Sequence, residues 1–285
     1  MSDAMTLEEG RPEAPVQHIT SPLRWVGFGF RDIVVFRELL YFLTLRDIKV
    51  RYNQTVLGIA WALLQPLFSM LIFSLIFLRW AGLHSPGRFD SLTILTALVP
   101  WQLFSYALTQ SSNRLLDDAG LIRKVYFPRI LIPISSVLAG LLDFAFALLL
   151  LLLFLIVSGI TPSWRIILVP LMVAMTLASA LGVGLWLSAL NARFRDVKYT
   201  VPFLNQVWFF LTPIVYPDSL IPEAWKPIWN LNPMTGVVNG FRWAFLGNPF
   251  DMTPYFLTSV LVTVLLLLSG WLFFRGMERS FSDWL

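Results

Sequence analysis

The sequence has few charged residues and no cysteine. Among its 285 residues there are two histidines, and only 13% are charged, whereas soluble domains carry roughly a quarter. The absence of cysteine excludes disulfides and thiolate metal sites. His18 and His84 lie far apart in sequence and have no ligand spacing, so we predict no metal site.

Motifs that carry catalysis are also missing. The chain contains no G-x-x-x-x-G-K-[ST] phosphate-binding loop, and neither an H-E-x-x-H nor a G-x-S-x-G motif occurs. We therefore predict no catalytic residue, no enzyme activity and no cofactor bound by this chain. The net charge is +4, and we assign the basic residues to anionic lipid at a membrane surface, not to nucleic acid.

Apolar residues, in contrast, are abundant and occur in long runs. They make up 57% of the chain, and the mean hydropathy is +0.71. Runs of about twenty apolar residues match the ~30 Å hydrocarbon core of a bilayer. We predict an all-α integral membrane protein with six transmembrane helices, at residues 55–78, 92–110, 130–157, 166–190, 199–216 and 255–274.

The distribution of Lys and Arg predicts the orientation. With both termini on the cytoplasmic side, sixteen of the 21 Lys and Arg residues fall in cytoplasmic segments and five in external ones. Short loops rich in these residues resist translocation, so this arrangement satisfies the positive-inside rule. The six-helix transmembrane domain occupies residues 55–275.

The remaining segments are assigned from composition. Residues 1–22 contain four acidic residues and no apolar core, which predicts a flexible cytoplasmic tail. Residues 23–54 mix apolar and charged positions and are typical of a helix in the membrane interface. Residues 218–254 are rich in Pro and Trp, and we predict two short re-entrant helices there, dipping in from the outer face at 222–229 and 233–246. Residues 276–285 form a cytoplasmic tail.

One string carries a resemblance to a known family. RDIKVRYNQTVLGIAWALLQP, at residues 46–66, resembles the segment that opens the first membrane helix in permease subunits of polysaccharide ABC exporters, of the ABC-2 type. The resemblance implies a homodimer in the bacterial cytoplasmic membrane with two copies of an ABC ATPase subunit. The partner would bind ATP and Mg, and the substrate would be a lipid-linked O-antigen, capsule or teichoic-acid polymer.

The predicted cytoplasmic loop at 111–129 also resembles this family. Its sequence NRLLDDAGLIRKVYFPR is similar to the coupling helix that docks into the ATPase. The predicted coupling residues are Arg114, Asp117, Asp118, Leu121, Arg123, Lys124 and Phe127. We expect an apolar knob from Leu115, Leu116, Leu121 and Ile122 inside a charged rim. The alternative is a solvated connecting loop.

Aromatic residues in the spans are candidates for lining a glycan path, because the related exporters line theirs with aromatic rings. These candidates are Trp61, Trp101, Phe104, Tyr106, Trp208, Phe209, Phe210 and Tyr216. The alternative for each is ordinary placement at the membrane interface or against lipid.

Polar residues near the first span form a second candidate site. Arg46, Lys49, Arg51, Tyr52 and Asn53 are predicted to attract a lipid pyrophosphate head at the entrance, or else merely to anchor the chain in the interface.

A single charge, Asp143, falls inside the third span. A charge at that depth is usually paired. We expect Asn205, Gln206 or protonation to accommodate it, in a structural hydrogen bond between helices rather than a proton relay.

Two other functional classes compete with this interpretation, and a third is disfavoured. An ABC exporter of drugs or small lipids would have the same fold. A membrane-embedded glycosyl- or phosphotransferase needs clustered carboxylates, and the acids here are scattered. A secondary transporter is disfavoured because no inverted repeat is evident.

Overall fold

The structure is a computed structural model that describes residues 33–53, 58, 60–80, 82, 90–125, 127–161, 163–194, 196–248 and 254–281. The predicted tail at 1–22 and the first part of the predicted interfacial segment lie outside the described residues. Within the described residues the chain is helical and contains no strand. The prediction of an all-α fold is therefore confirmed.

Ten α-helices follow one another along the described chain. The first five are α1 (Arg37–Tyr52), α2 (Ala60–Phe73), α3 (Ser91–Asp117), α4 (Ala119–Lys124) and α5 (Leu131–Val157). The others are α6 (Val169–Arg193), α7 (Val197–Leu211), α8 (Lys226–Trp229), α9 (Pro233–Leu246) and α10 (Pro254–Met277). A π-helical stretch, Ser74–Trp80, continues α2, and a 3₁₀ turn, Trp164–Leu168, precedes α6.

Five helical runs are long and apolar enough to cross a membrane. They are Ala60–Trp80, Ser91–Asp117, Leu131–Val157, Trp164–Arg193 and Phe256–Met277. The predicted fifth span corresponds to α7, which has 15 residues and ends at Leu211, just before Thr212 and Pro213. A helix of that size is about 22 Å long, less than the hydrocarbon core. The total of six spans therefore stays a prediction.

Two helix boundaries refine the predictions. The second span was expected at 92–110, but α3 continues to Asp117 and includes the first seven residues of the predicted loop. The expected helix at 233–246 is α9, where the backbone amide of Met234 donates to the side chain of Asn232 and Gly247, with φ +73°, is the C-cap. Whether α8 and α9 dip in from the outer face stays a prediction.

The bundle is arranged around α3. In the most apolar segment of α3, 78% of the residues are buried, whereas in the corresponding segment of Ala60–Trp80 only 11% are buried. A second, smaller core lies at the predicted cytoplasmic end, where Leu115, Phe127, Phe274 and Phe281 are all buried. There the backbone amide of Arg129 donates to Glu278 at 3.0 Å, which joins the end of α10 to the segment before α5.

Candidate functional site

A cavity of about 580 Å³ lies inside the bundle, between α2, α3, α5 and α7. Its walls come from Ala62 to Phe73 of α2, Leu98 to Gln110 of α3, Gly140 to Ala147 of α5 and Asn205 to Phe210 of α7. Arg51, near the end of α1, also lines it. Helices that are mostly apolar thus line a partly open space within the bundle.

The cavity lining is unusually polar for membrane-spanning helices. Its uncharged polar members are Gln65, Ser69, Gln102, Ser105, Thr109, Gln110, Asn205 and Gln206. Asn205 joins two walls, because its Nδ2 donates to the carbonyl of Ser105 at 3.3 Å and to Oγ1 of Thr109 at 2.8 Å. Amides and hydroxyls in an apolar setting can exchange hydrogen bonds with a hydroxyl-rich ligand without holding a full charge.

This polar lining was missed from the sequence, although a signal was present. Gln102, Ser105, Thr109 and the neighbouring Tyr106 and Gln110 recur every three to four residues of α3, which places them on one helix face. A polar stripe inside a predicted span indicates a surface that faces protein or a cavity.

Four of the eight predicted path aromatics line this cavity: Trp101, Tyr106, Phe209 and Phe210. Phe209 connects them, since its ring lies 5.5 Å from that of Trp101 and 5.3 Å from that of Phe210. The ring of Phe73 on α2 also stacks on Phe209 at 5.3 Å. The cavity therefore combines aromatic faces with amide groups.

The other four predicted aromatics lie elsewhere. Trp61 is 55% exposed on α2, and Phe104 is completely buried, so it has no free surface for a ligand in this conformation. Trp208 donates from Nε1 to Asn232 at 2.8 Å, and the Tyr216 hydroxyl accepts from Nε1 of Trp229 at 3.1 Å. The role of all eight in a glycan path stays a prediction.

An ion pair forms part of the cavity wall. The Arg51 guanidinium lies 2.5 Å from Oδ2 of Asp143 and 4.2 Å from the centre of the Tyr106 ring. Gly140 makes room for this ring, because a Cβ there would lie 2.5 Å from Cδ1 of Tyr106. The expectation that Asp143 is held by Asn205, Gln206 or protonation is corrected: its partner is a cation from α1, a helix outside the predicted spans.

Four charged residues form a second cluster at the predicted cytoplasmic end, here called the charge quartet: Arg46, Asp47, Arg114 and Asp118. Oδ1 of Asp47 accepts from Arg46 at 3.0 Å and from Arg114. Oδ2 of Asp118 lies 2.6 Å from Arg46 and 3.3 Å from Arg114. Two cations and two anions therefore neutralise one another, and Ser135 of α5 adds a 3.4 Å contact to Asp47.

The charge quartet is largely sheltered from solvent. The side chain of Asp47 is 6% exposed, that of Asp118 14% and that of Arg114 17%. Burial alone would lower the pKa of the Arg46 guanidinium, but its hydrogen bonds to Asp118 and Asp47 outweigh this and raise that pKa. Arg46 therefore stays charged, and α1 is fastened to the end of α3.

The quartet changes the picture of the predicted coupling residues. Arg114 and Asp118 were predicted to take part in coupling to the ATPase, but their side chains form ion pairs within the chain. Leu115 and Phe127 are buried in the second core, so neither is available to an apolar knob. Apolar residues at this end that were predicted to contact a partner are instead buried in the core of the chain itself.

The surface that remains for docking is α4. Its residues Arg123 and Lys124 are exposed, as is Asp117 at the end of α3, while Leu121 is partly buried. Asp118 lies at the junction of α3 and α4, and its carbonyl accepts from the backbone amides of Leu121 and Ile122. Their role in coupling stays a prediction.

The residues predicted to attract a lipid head group do not form one cluster, because two of them belong to different ion pairs. Arg46 belongs to the charge quartet and Arg51 to the pair with Asp143, so both cations already have carboxylate partners. Lys49 and Asn53 are exposed, and Tyr52 is partly buried. The expected cationic cluster at the entrance is thus mostly neutralised in this conformation.

The apolar helices and the internal polar cavity define an integral membrane protein. Residues 38–246 match the ABC-2 type transporter family. The chain therefore belongs to the ABC-2 type transporter family.

Several proteins are similar to it over most of their length. The O-antigen export system permease protein RfbA of Myxococcus xanthus is 29% identical over 255 residues, 89% of this chain and 97% of that protein. The protein of the same name from Klebsiella pneumoniae is 30% identical over 253 residues, 86% of this chain and 94% of that protein. The polysialic acid transport protein KpsM of Escherichia coli is 25% identical over 225 residues, with 77% and 84% covered.

Proposed function

We propose that this chain is the permease subunit of an ATP-driven ABC exporter that moves a lipid-linked polysaccharide across the bacterial cytoplasmic membrane. The observation that carries the proposal is the similarity to O-antigen export permeases over 86–89% of the chain. The polymer belongs to the O-antigen, capsule or teichoic-acid type. Both termini lie in the cytoplasm.

The chemistry of the cavity supports a sugar substrate. Sugar rings present apolar faces that stack on aromatic rings, and hydroxyls that exchange hydrogen bonds with amides. Trp101, Tyr106 and Phe209 provide the rings, while Gln102 and Asn205 provide the amides. The charges of Arg51 and Asp143 cancel each other, so the lining carries no net charge that would trap a passing chain.

A second copy of the chain and two ATPase subunits complete the proposed exporter. The outer face of α2 exposes Phe68, Leu71 and Ile72, an apolar surface suited to a second copy within the membrane. The sequence carries no phosphate-binding loop, so ATP and Mg are bound by the separate ATPase. That subunit docks on α4, through Arg123 and Lys124.

The proposal is tested by reconstitution. The chain is co-expressed with the ABC ATPase of a neighbouring reading frame, and the complex is placed in vesicles with lipid-linked glycan extracted from the source cells. We expect the glycan to become accessible to an external glycosidase only when ATP and the active ATPase are present. A matched control is the same complex with an ATPase that binds but cannot hydrolyse ATP.

Two results would contradict the proposal. One is movement of the glycan by this chain without any ATPase. The other is ATP hydrolysis that responds to hydrophobic drugs or small lipids and not to the glycan, which would favour an exporter of those compounds. A cysteine at Arg123 that reacts with an impermeant reagent outside intact cells would overturn the orientation, and the chain has no cysteine of its own to interfere.

A further inference from the structure

Helix α1 is attached to the bundle at two places by charged groups. Near its middle, Arg46 and Asp47 enter the charge quartet with Arg114 and Asp118. Close to its end, Arg51 pairs with Asp143 in the cavity wall. The two attachments lie at different positions along α3. The quartet includes Arg114, whereas Arg51 contacts Tyr106, which is about 12 Å away along the axis of that helix.

Both attachments use the same face of α1. Asp47 and Arg51 are four residues apart, which places them one above the other on the helix surface. The residues of α5 that contact α1 are Ser135, which contacts Asp47, and Asp143, which pairs with Arg51. A displacement of α1 along α5 therefore changes both sets of contacts together.

The far end of this connection is the predicted docking helix. Asp118 is the residue at which α3 ends and α4 begins, and its carboxylate lies 2.6 Å from Arg46. The side chain of Asp118 makes no capping hydrogen bond to α4, so its polar contacts go to α1 and α3 instead. A movement of α4 thus acts directly on Arg46.

We propose that Arg46, Asp47 and Asp118 are positioning residues that link α4 to the cavity, so that a displacement of α4 separates Arg51 from Asp143 and widens the cavity at that pair. This inference rests on the proposed function, in which the ATPase moves α4. It assigns the coupling to one short chain of ion pairs, from Asp118 through α1 to Asp143.

The two attachments differ in a way that suits this role. In the quartet each carboxylate is bound by two guanidinium groups, and its most exposed side chain, Arg46, is 33% exposed, so four contacts hold α1 to α3 and α4. The Arg51–Asp143 pair has a single contact between guanidinium and carboxylate, beside the approach of Arg51 to the Tyr106 ring, and its side chains are 37% and 19% exposed. A single, partly exposed ion pair contributes less than the four contacts of the quartet and exchanges partners more readily, so it is the part that separates.

The first experiment separates coupling from assembly. Asp118→Asn keeps the shape of the side chain and removes the charge that holds Arg46. In the reconstituted complex we expect the amount of glycan exported per ATP hydrolysed to fall about ten-fold, within the usual range of coupling between sites. The matched control is Glu38→Gln, an exposed acid in the first turn of the same helix, which we expect to export normally.

A charge exchange tests the other end of the connection. Arg51→Glu alone places two acids together and is expected to abolish export. Arg51→Glu combined with Asp143→Arg restores an ion pair in reverse, and we expect export to return. A merely structural role for these residues would change the yield of the complex but not the export per ATP.

Distance measurements follow the movement itself. Spin labels are placed on cysteines introduced at Val50 of α1 and Ala145 of α5, both exposed positions in a chain without natural cysteine. In the parent complex we expect ATP to lengthen the distance between the labels. In Asp118→Asn we expect ATP to leave that distance unchanged.

The outcomes distinguish this inference from the proposed function. If the parent complex moves no glycan with ATP, the proposed function fails. If the parent exports normally while Asp118→Asn retains full export per ATP, or shows the same ATP-dependent distance change, the inference is overturned. If Asp118→Asn does not assemble, failure of the Arg51→Glu and Asp143→Arg exchange to restore export overturns it as well.

Discussion

Two helix interfaces in this molecule are built in opposite ways. Between α6 and α10 the contact depends on small residues: a Cβ on Gly182 would lie 2.6 Å from the carbonyl carbon of Leu266, and a Cβ on Gly270 would collide with the carbonyl of Gly182. Between α1 and its neighbours α3 and α5, the contact depends on the charge quartet and the Arg51–Asp143 pair.

This difference indicates that α6 and α10 form a rigid scaffold, whereas α1 is a part that can move. At the α6–α10 interface the backbones approach closely at Gly182 and Gly270, so a shift of one helix against the other opens a gap or creates a clash. The partly exposed Arg51–Asp143 pair tolerates displacement, because either partner can be exchanged for water or another charge. We therefore expect rearrangement during transport at α1 and not at α10.

The largest expected effect is at the centre of the quartet. Asp47→Ala leaves Arg46 and Arg114 sharing Asp118 in a sheltered site, and removing one member of a buried ion pair costs about 3–5 kcal/mol. Unfolding of the purified protein by titration with a denaturing detergent measures this loss. Glu38→Ala, on the exposed side of α1, is the control. An equal loss of unfolding free energy in both variants would show that the quartet stabilises the protein no more than an exposed acid does.

A single methyl group tests the scaffold interface. Gly270→Ala places a Cβ against the backbone of Gly182, and because backbone cannot move aside as a side chain can, we expect a loss of about 3 kcal/mol or more. Gly276→Ala, on the same helix, has no atom within 4 Å of the added Cβ and should stabilise the helix by up to about 1 kcal/mol. The same unfolding titration compares them. Tolerance of Gly270→Ala would mean that α10 can separate from α6.

A smaller effect is expected at the cavity pair. Asp143→Asn keeps the shape but removes the charge opposite Arg51, and for a partly exposed pair we expect a loss of about 1 kcal/mol or less. Asp196→Asn, in an exposed segment before α7, is the control. If Asp143→Asn destabilises the protein as much as Asp47→Ala, the contrast between a fixed attachment and a separable one is wrong.

An effect of similar size is expected at the edge of the α6–α10 interface. The rings of Trp186 and Phe273 stack with their centres 4.2 Å apart, and Nε1 of Trp186 donates to Ser269 at 3.3 Å. Trp186→Ala should lose about 1 kcal/mol, the usual contribution of an aromatic pair. Trp164→Ala, where the side chain is 75% exposed, serves as the control and should change the unfolding free energy less.

Much of the fold was predictable because the length of an apolar run can be read directly from the sequence. Runs of apolar residues predicted the five long helical runs, and the Pro- and Trp-rich segment correctly predicted a helix at Pro233–Leu246. The fifth predicted span was overestimated, because apolar composition continues past Leu211 while the backbone turns at Thr212 and Pro213. The extension of α3 to Asp117 was missed because its last residues are polar.

The site was predictable only in part. Trp101, Tyr106, Phe209 and Phe210 were identified as candidates and line one cavity. Phe104 was named on the same grounds, yet it is completely buried, because lining depends on which face of α3 meets a neighbour. Sequence spacing gives the face of a helix but not the identity of the helix that covers it.

By itself, the sequence determined that this protein is a bundle of apolar helices, since transfer into lipid depends on each segment's own composition. Only the tertiary structure decided which charges meet. Asp143 required a partner, and the chain offered several polar groups. The partner is Arg51 because α1 packs along α5, and a buried charge is neutralised by whatever cation the packing brings within a few ångström.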